Sequence, residues 1–206
     1  MILFSNQYKE VKSDTNGIYK EKGSKFISYV FSVYSEKDVK KKLDYVKKTE
    51  KSANHYCYAY IINFDKSCVR FSDDGEPSST AGKPILGVIK SNDLTNILII
   101  VVRYFGGKKL GISRLIRSYK NASIDAINNN TIITKEITDI YSVKFRYDYT
   151  SDVMRLLKRY NVLIEKIIKS NTNCKVIYAI RRADVDDIVK KLNYLDDIII
   201  KYIKKK

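Results

Sequence analysis

The chain has 206 residues, enough to bury a real hydrophobic core in one large domain or two small ones. Its formal charge of +16 favours anionic partners such as RNA, ribosomes, nucleotides or acidic membranes, although the basic residues are spread over both halves of the chain. The three cysteines are too few and too scattered for a disulfide framework or zinc knuckles. No apolar run approaches the length of a membrane span, so we expect a soluble, cytoplasmic protein without a membrane partner.

The first part of the chain predicts an extended arm, a strand and a helix. Residues 1–16 are polar, whereas Lys25 to Phe31 is aromatic and β-branched, which is typical of a strand. Ser35 then has the position of a helix N-cap. Apolar residues at helical spacing follow it and predict an amphipathic helix with a Lys-rich outer face.

A strictly alternating segment runs from His55 to Phe64. Its tyrosines share one face, and His55 and Cys57 share the other. The tyrosines could stack on bases, but at this spacing we expect them to pack beneath a helix. A Cys–His nucleophile pair is the alternative to a simple lining of the sheet, and we favour the lining because such pairs normally come from separate elements. Cys68 to Ser72 completes a hairpin.

Most of the chain's glycine and proline residues lie between Asp73 and Gly111. Both prolines and six of the eight glycines fall in this window, so we expect unusual dihedrals or a close approach there. Pro84 suits the first turn of a short helix. The run from Ile97 to Val102 is apolar on both faces, which predicts a central strand covered on each side. A helix with a buried apolar stripe begins at Ser113.

Beyond Asn128 the pattern changes to a strand, a helix, two strands, a helix and a strand. That order, βαββαβ, is typical of a ferredoxin-like sandwich. The asparagines at 128–130 mark the expected boundary. We therefore expect an α+β protein with two domains, residues 1–130 and residues 131–206.

Two blocks of the central window resemble the IMPACT family and, within it, the bacterial YigZ-like branch. The first block runs from Asp73 to Leu86, and the second runs from Leu94 to Gly111 with the motif RYFGG near its centre. Their order and separation fit the family. Shorter segments elsewhere fit as well, so the resemblance covers residues 20–127.

The resemblance implies a fold for each domain. The N-terminal domain would be of the type found in elongation factor G domain IV and in several small-subunit ribosomal proteins. The C-terminal domain would be ferredoxin-like and similar to elongation factor G domain V. Eukaryotic relatives regulate translation by interfering with activation of a stress kinase, but they use an additional domain, so that role is not carried over. No catalytic reaction is firmly attached to the bacterial branch.

Three residues depart from the family pattern. Ser79 stands where the family usually has glycine, and Ser113 and Arg114 stand where it usually has two glycines. A site that depends on close backbone approach is altered by this change. Because the change adds a cation, it favours an anionic ligand.

The end of the central strand predicts a phosphate-binding hollow. Two adjacent glycines allow the backbone to present N–H groups before the next helix, and nearby cations add charge. The alternative is a simple tight turn with solvated lysines. We favour the phosphate site, whose candidate residues are Lys83, Arg103, Gly106, Gly107, Lys108, Lys109, Arg114 and Arg117.

Asp73, Asp74 and Glu76 allow three interpretations. Their carboxylates could hold a hard cation such as magnesium. They could instead form the Asp-Gly turn, or pair with Arg103 and Lys83 inside the motif. We favour turn chemistry with internal pairing, in which these acids orient the cations. No catalytic residue, metal or cofactor is expected.

Together these features favour a monomeric, non-enzymatic protein that binds RNA or ribosomal components and modulates translation. Phosphate contacts would supply affinity without distinguishing one sequence from another. One alternative is a magnesium-dependent enzyme acting on a phosphorylated small molecule or nucleotide. The other is a regulatory module that docks a protein partner through the βαββαβ half.

Overall fold

The computed structural model describes residues 6–205, and the chain divides into two compact units. The larger unit is Tyr8–Lys135. The smaller unit joins Glu136–Lys206 to the N-terminal residues up to Gln7. Residues 1–5 of the predicted arm lie outside the described part of the chain.

The larger unit combines strands with three helices within the described residues. Its elements are β1 (Gln7–Val11), β2 (Thr15–Glu21), β3 (Ser24–Ser32), α1 (Glu36–Thr49), β4 (His55–Ile62), β5 (Cys68–Ser72), α2 (Gly82–Ser91), β6 (Ile97–Tyr104), α3 (Ile112–Asn128) and β7 (Ile132–Glu136). The predicted strand at β3, hairpin of β4 and β5, short helix α2 and helix α3 are confirmed. Ser35 is the N-cap of α1, since its hydroxyl accepts a hydrogen bond from the Asp38 N–H at 3.2 Å.

Five strands form one antiparallel sheet in the order β2-β3-β6-β4-β5. β6 is central, and every residue from Ile97 to Arg103 is buried. Successive side chains of a strand point to opposite faces, so β4 and β6 each contribute to two apolar layers. One layer packs with residues of α2 and α3, and the other packs with residues of α1. The predicted central strand, covered on each side, is confirmed.

The tyrosines of β4 belong to the layer beneath α1. Tyr60 is buried, and Tyr56 and Tyr58 are partly buried against the same cluster. The Tyr60 hydroxyl donates a hydrogen bond to Glu36 of α1 at 2.6 Å. These residues therefore pack in the protein interior, as expected, and do not form an open stacking platform.

Three strands of this unit were not predicted from the sequence. β1 lies within the polar arm and pairs with β7 in a separate two-stranded sheet, while β2 begins at the end of the arm and pairs with β3. A Cβ atom on Gly17 of β2 would lie 2.5 Å from the backbone nitrogen of Ala126, so glycine allows α3 to approach this edge strand. The residue sequences of β1, β2 and β7 show no apolar alternation, because these strands lie at sheet edges and bury few side chains.

The smaller unit has the element order βαββαβ that the sequence predicts. Its elements are β8 (Thr138–Arg146), α4 (Thr150–Arg159), β9 (Leu163–Lys169), β10 (Asn173–Arg181), α5 (Val185–Leu192) and β11 (Ile199–Lys205). The four strands form an antiparallel sheet in the order β11-β8-β10-β9. Buried residues of β8 and β10 form one core with α4 and α5.

The helices of both units are short. The longest helix in the described residues is α3, with 17 residues. A bilayer-spanning helix needs about 20 mostly apolar residues. Within residues 6–205, no helix combines the length and the apolar character that such a span requires.

Candidate functional site

The loop between β6 and α3 contains Gly106 and Gly107 and lies at the carboxyl end of the central strand. A Cβ atom on Gly106 would lie 2.0 Å from the carbonyl carbon of Gly23, so the backbone of the β2–β3 turn occupies that space. The Gly106 N–H also donates to the Ser24 hydroxyl at 3.3 Å. Gly107 has a φ of 80° and open space at its Cβ position. The expected close approach of a ligand is therefore restricted to Gly107.

Asp73 holds the loop that precedes α2. Its Oδ1 accepts hydrogen bonds from the N–H groups of Ala81 and Gly82 at 2.9 and 2.8 Å. Its Oδ2 accepts one from the Ser79 N–H at 2.8 Å. Ser79 has a φ of 62°, a conformation that glycine adopts at lower cost. The Asp73 carboxylate thus satisfies backbone donors at a helix N-terminus, where negative charge is favourable.

Asp74 forms the turn after β5. Its Oδ2 accepts a hydrogen bond from the Tyr56 N–H at 2.7 Å, and its carbonyl oxygen accepts one from His55 Nδ1 at 2.9 Å. Asp74 and Gly75 both have positive φ, at 40° and 85°. Within residues 6–205, neither Asp73 nor Asp74 forms an ion pair, so their role is turn chemistry. Of the three acids that we expected to orient cations, Glu76 alone pairs with one within the described residues.

Glu76 and Arg103 form a buried ion pair. Their side chains are 3% and 7% exposed, and Arg103 Nη1 donates to Glu76 Oε1 at 2.6 Å. The same oxygen accepts a hydrogen bond from the Tyr119 hydroxyl at 2.8 Å, and His55 Nε2 lies 3.9 Å from it. This is internal pairing of the kind expected for the acids. Because Arg103 is buried in this pair, it is not one of the exposed cations of the predicted phosphate site. Lys83 is exposed and forms no ion pair with the described residues.

The Arg103 guanidinium lies close to two aromatic rings. Its central carbon lies 5.6 Å from the ring centroids of both Phe26 and Phe105, which permits cation–π attraction. Arg103 Nε is buried and has no hydrogen-bond partner among the described residues. Buried donors are nearly always paired in folded proteins, so this nitrogen is a feature that the fold alone does not explain.

Cys57 and Tyr119 are neutral groups beside this ion pair. Burial raises the pKa of the Cys57 thiol, and burial also raises the pKa of the Tyr119 phenol. The thiol donates to the Asp73 carbonyl oxygen at 2.9 Å rather than to His55. A nucleophilic cysteine needs a lowered pKa and an adjacent base. The thiol has the opposite environment, which favours the structural role predicted for the histidine and cysteine of β4.

We expect iodoacetamide to modify Cys68 but not Cys57 in the native protein. Cys68 is partly exposed, whereas Cys57 is fully buried and its raised pKa leaves little thiolate. Mass spectrometry of peptides after a timed reaction at mildly alkaline pH would measure this, with urea-unfolded protein as the control. Rapid native labelling of Cys57 would contradict the structural role and restore the Cys–His interpretation.

Exposed cations lie in the β6–α3 loop, in the first two turns of α3 and in the first turn of α2. We call this set the cationic surface; it comprises Lys83, Lys108, Lys109, Arg114 and Arg117. Within the described residues only Arg117 of this set forms an ion pair, with Glu21 at 3.6 Å. The N-cap of α3 is Gly111, which has no side chain that could accept a hydrogen bond from the first turn of the helix. The first-turn N–H groups of an uncapped helix favour an anion, and the nearby cations add to this effect.

A cavity of about 490 Å³ lies beside the cationic surface. We call it the Arg103 cavity; its lining includes His55, Glu76, Arg103, Phe105, Ile112 and Leu115. Lys109 also reaches the lining. The apolar members could not be recognised from the sequence because apolar residues are usually assigned to the core. The only available signal was Phe105, an aromatic residue between a cation and two glycines.

No cluster of three or more metal-binding side chains (His, Cys, Asp or Glu) is found in the described part of the chain. This agrees with the placement of the acids, because the Asp73 and Asp74 oxygens face backbone N–H groups. The site instead combines a buried ion pair, an apolar cavity and exposed cations. Such a site is suited to binding a ligand with anionic and apolar parts.

Comparison with known proteins places these features in a family. Residues 22–127 match the family model described as the Impact N-terminal domain. The chain is 32% identical over 144 residues to IMPACT family member YvyE of Bacillus subtilis, covering 70% of this chain and 66% of that protein, just under two thirds of its length. It is 30% identical over 175 residues to IMPACT family member YigZ of Escherichia coli, covering 83% and 84%. These matches confirm the resemblance to the bacterial branch.

The fold also has a solved counterpart. A crystal structure described as that of a hypothetical protein matches with a TM-score of 0.75, over 98% of this chain and 99% of that chain. The two sequences are 24% identical, so the likeness concerns the fold alone. It supports the α+β architecture with antiparallel sheets in both units.

Proposed function

Because the chain belongs to the IMPACT family, we propose that it is a non-enzymatic protein that binds RNA or ribosomal components and modulates translation. The observation that carries the proposal is the cationic surface, whose members lie in the β6–α3 loop, on α3 and at the start of α2. Four of its five cations, Lys83, Lys108, Lys109 and Arg114, form no ion pair with the described residues, so their charge is available to a polyanion. The uncapped start of α3 adds backbone N–H donors in the same region.

The proposed fold types agree with this function. The N-terminal domain, residues 1–130, would be of the type found in elongation factor G domain IV and in small-subunit ribosomal proteins. The C-terminal domain, residues 131–206, would be ferredoxin-like and similar to elongation factor G domain V. Its strand order β11-β8-β10-β9 and its alternation βαββαβ support that assignment. Domains of these types occur in proteins that contact the ribosome.

Phosphate contacts make a specific prediction about salt. Each cation that neutralises a phosphate releases a counterion, so the logarithm of the affinity should fall linearly with the logarithm of the salt concentration. Fluorescence anisotropy with a labelled ribosomal RNA fragment, between about 50 and 200 mM salt, would measure the slope. We expect the double variant Lys108→Ala/Arg114→Ala to weaken binding and to reduce the slope by about 1 for each lost contact.

The matched control is Lys37→Ala/Lys40→Ala, which removes the same charge from the exposed face of α1. Since α1 packs on the opposite face of the sheet from α3, this variant should keep the wild-type slope. Salt-independent binding, or equal losses in both double variants, would contradict the proposal. Magnesium-dependent binding of a mononucleotide that is lost in Asp74→Asn would instead favour the enzyme alternative.

A further inference from the structure

We propose that the Arg103 cavity receives one unstacked base of a single-stranded RNA while the cationic surface holds the adjoining phosphates. This inference rests on the proposed function and adds to it the form of RNA that the site takes. Three features of the cavity carry it: its hydrogen-bonding groups, its local charge and its walls.

The hydrogen-bonding groups belong to Arg103 and Glu76, which both line the cavity. Arg103 Nε is a buried donor without a partner among the described residues. Arg103 Nη1 and the Tyr119 hydroxyl both donate to Glu76 Oε1, so neither of these hydrogen bonds uses Oε2 as its acceptor. The ion pair thus offers both a donor and an acceptor, and the edge of a nucleobase also presents both kinds of group.

The local charge distinguishes a base from a bare anion. The Glu76 carboxylate lies 2.6 Å from the Arg103 guanidinium and compensates its charge. The pair therefore offers no excess positive charge to a free phosphate or carboxylate. Positive charge lies at the rim instead, on Lys109 and at the uncapped start of α3. A neutral heterocycle inside and a phosphate at the rim fit this arrangement.

The walls of the cavity offer an aromatic face and aliphatic groups. Phe105 is 49% exposed and Ile112 is 62% exposed, although both are large apolar residues. Exposed aromatic residues next to cations are typical of sites where single-stranded nucleic acid stacks its bases. The volume of about 490 Å³ falls within the size range of small-molecule sites.

The experiment compares three labelled RNAs by fluorescence anisotropy: a mixed-sequence single strand, its fully paired duplex, and an abasic strand with the same phosphates. A duplex keeps its bases stacked, and the abasic strand has none to insert. We expect the wild-type protein to bind the single strand more tightly than either control. Phe105→Ala should weaken single-strand binding by about 5- to 150-fold, the range for one stacked base, and leave duplex and abasic binding unchanged.

Two further variants sharpen the test. Phe71→Ala removes another exposed phenylalanine, on β5, and should leave all three affinities unchanged. Arg103→Lys keeps the charge opposite Glu76 but removes the Nε–H donor, and it should weaken single-strand binding alone. Because Phe105 is half-exposed, Phe105→Ala keeps the proposal testable even if Arg103→Lys does not fold.

The outcomes separate this inference from the proposed function. Equal affinity for the three RNAs, unchanged by Phe105→Ala but lowered by Lys108→Ala/Arg114→Ala, would overturn the base site and support phosphate binding. An equal loss on all three RNAs in Phe105→Ala would also overturn the base site. Failure to bind any RNA would overturn both.

Discussion

Replacing Glu76 with alanine is expected to lower the free energy of unfolding by about 3–5 kcal/mol, the range for breaking a buried ion pair. The Arg103 side chain is 7% exposed, so it would become a buried charge without compensation. Tyr119 would lose the acceptor of its hydrogen bond at the same time. Urea denaturation followed by circular dichroism would measure the change.

The control for this variant is Asp14→Ala. Asp14 pairs with Lys42 on the surface at 2.7 Å, where an ion pair contributes about 0–1 kcal/mol. Replacing both buried partners, as in Glu76→Leu/Arg103→Met, should recover much of the loss because no lone charge is then left in the interior. If Glu76→Ala and Asp14→Ala had equal unfolding midpoints, the Glu76–Arg103 pair would not be the stabilising contact that the geometry indicates.

Gly106→Ala is expected to destabilise the larger unit by at least about 1–3 kcal/mol, the usual cost of overpacking. The added Cβ would lie 2.0 Å from the carbonyl carbon and 2.3 Å from the oxygen of Gly23, and 2.4 Å from the nitrogen of Ser24. All three atoms belong to the backbone, so the β2–β3 turn would have to move away from the loop. A lower unfolding temperature would report the change.

Two other glycines are matched controls. Gly87 lies in α2 with nothing within 4 Å of its Cβ position, so Gly87→Ala should stabilise the protein by about 0.5–1 kcal/mol. Gly107→Ala meets no atom either, but its φ of 80° is strained for alanine, and we expect a loss of about 1–2 kcal/mol. A wild-type unfolding temperature for Gly106→Ala would show that the turn moves freely and that the close approach is unimportant.

Several elements follow directly from residue patterns. The alternation in β4 predicts which side chains share a face, and Cys57 and Tyr60 indeed belong to different apolar clusters. The apolar run in β6 predicts a strand buried on both faces, and it is the centre of the sheet. These predictions succeed because side-chain direction in a strand has a period of two residues, whatever the rest of the fold.

The edge strands do not follow from local patterns. β2 contains Ile18, which is 53% exposed, and its pairing and contacts come from β3 and α3. The Ile18 N–H donates to Asp125 Oδ2 at 2.9 Å, across more than half of the chain. β1 and β7 likewise pair with each other from distant positions. A strand held mainly by distant backbone partners has no apolar periodicity of its own to reveal it.

The sequence by itself determined the kind of residues at the site: a window of glycines, acids and cations at the end of an apolar strand. Only the tertiary structure decided which of them face solvent. It buries Arg103 against Glu76, directs Asp73 to backbone N–H groups, and fills the space at Gly106 with Gly23. The physical reason is that burial and pairing depend on which distant segments meet, whereas local patterns record only the direction of each side chain along its own element.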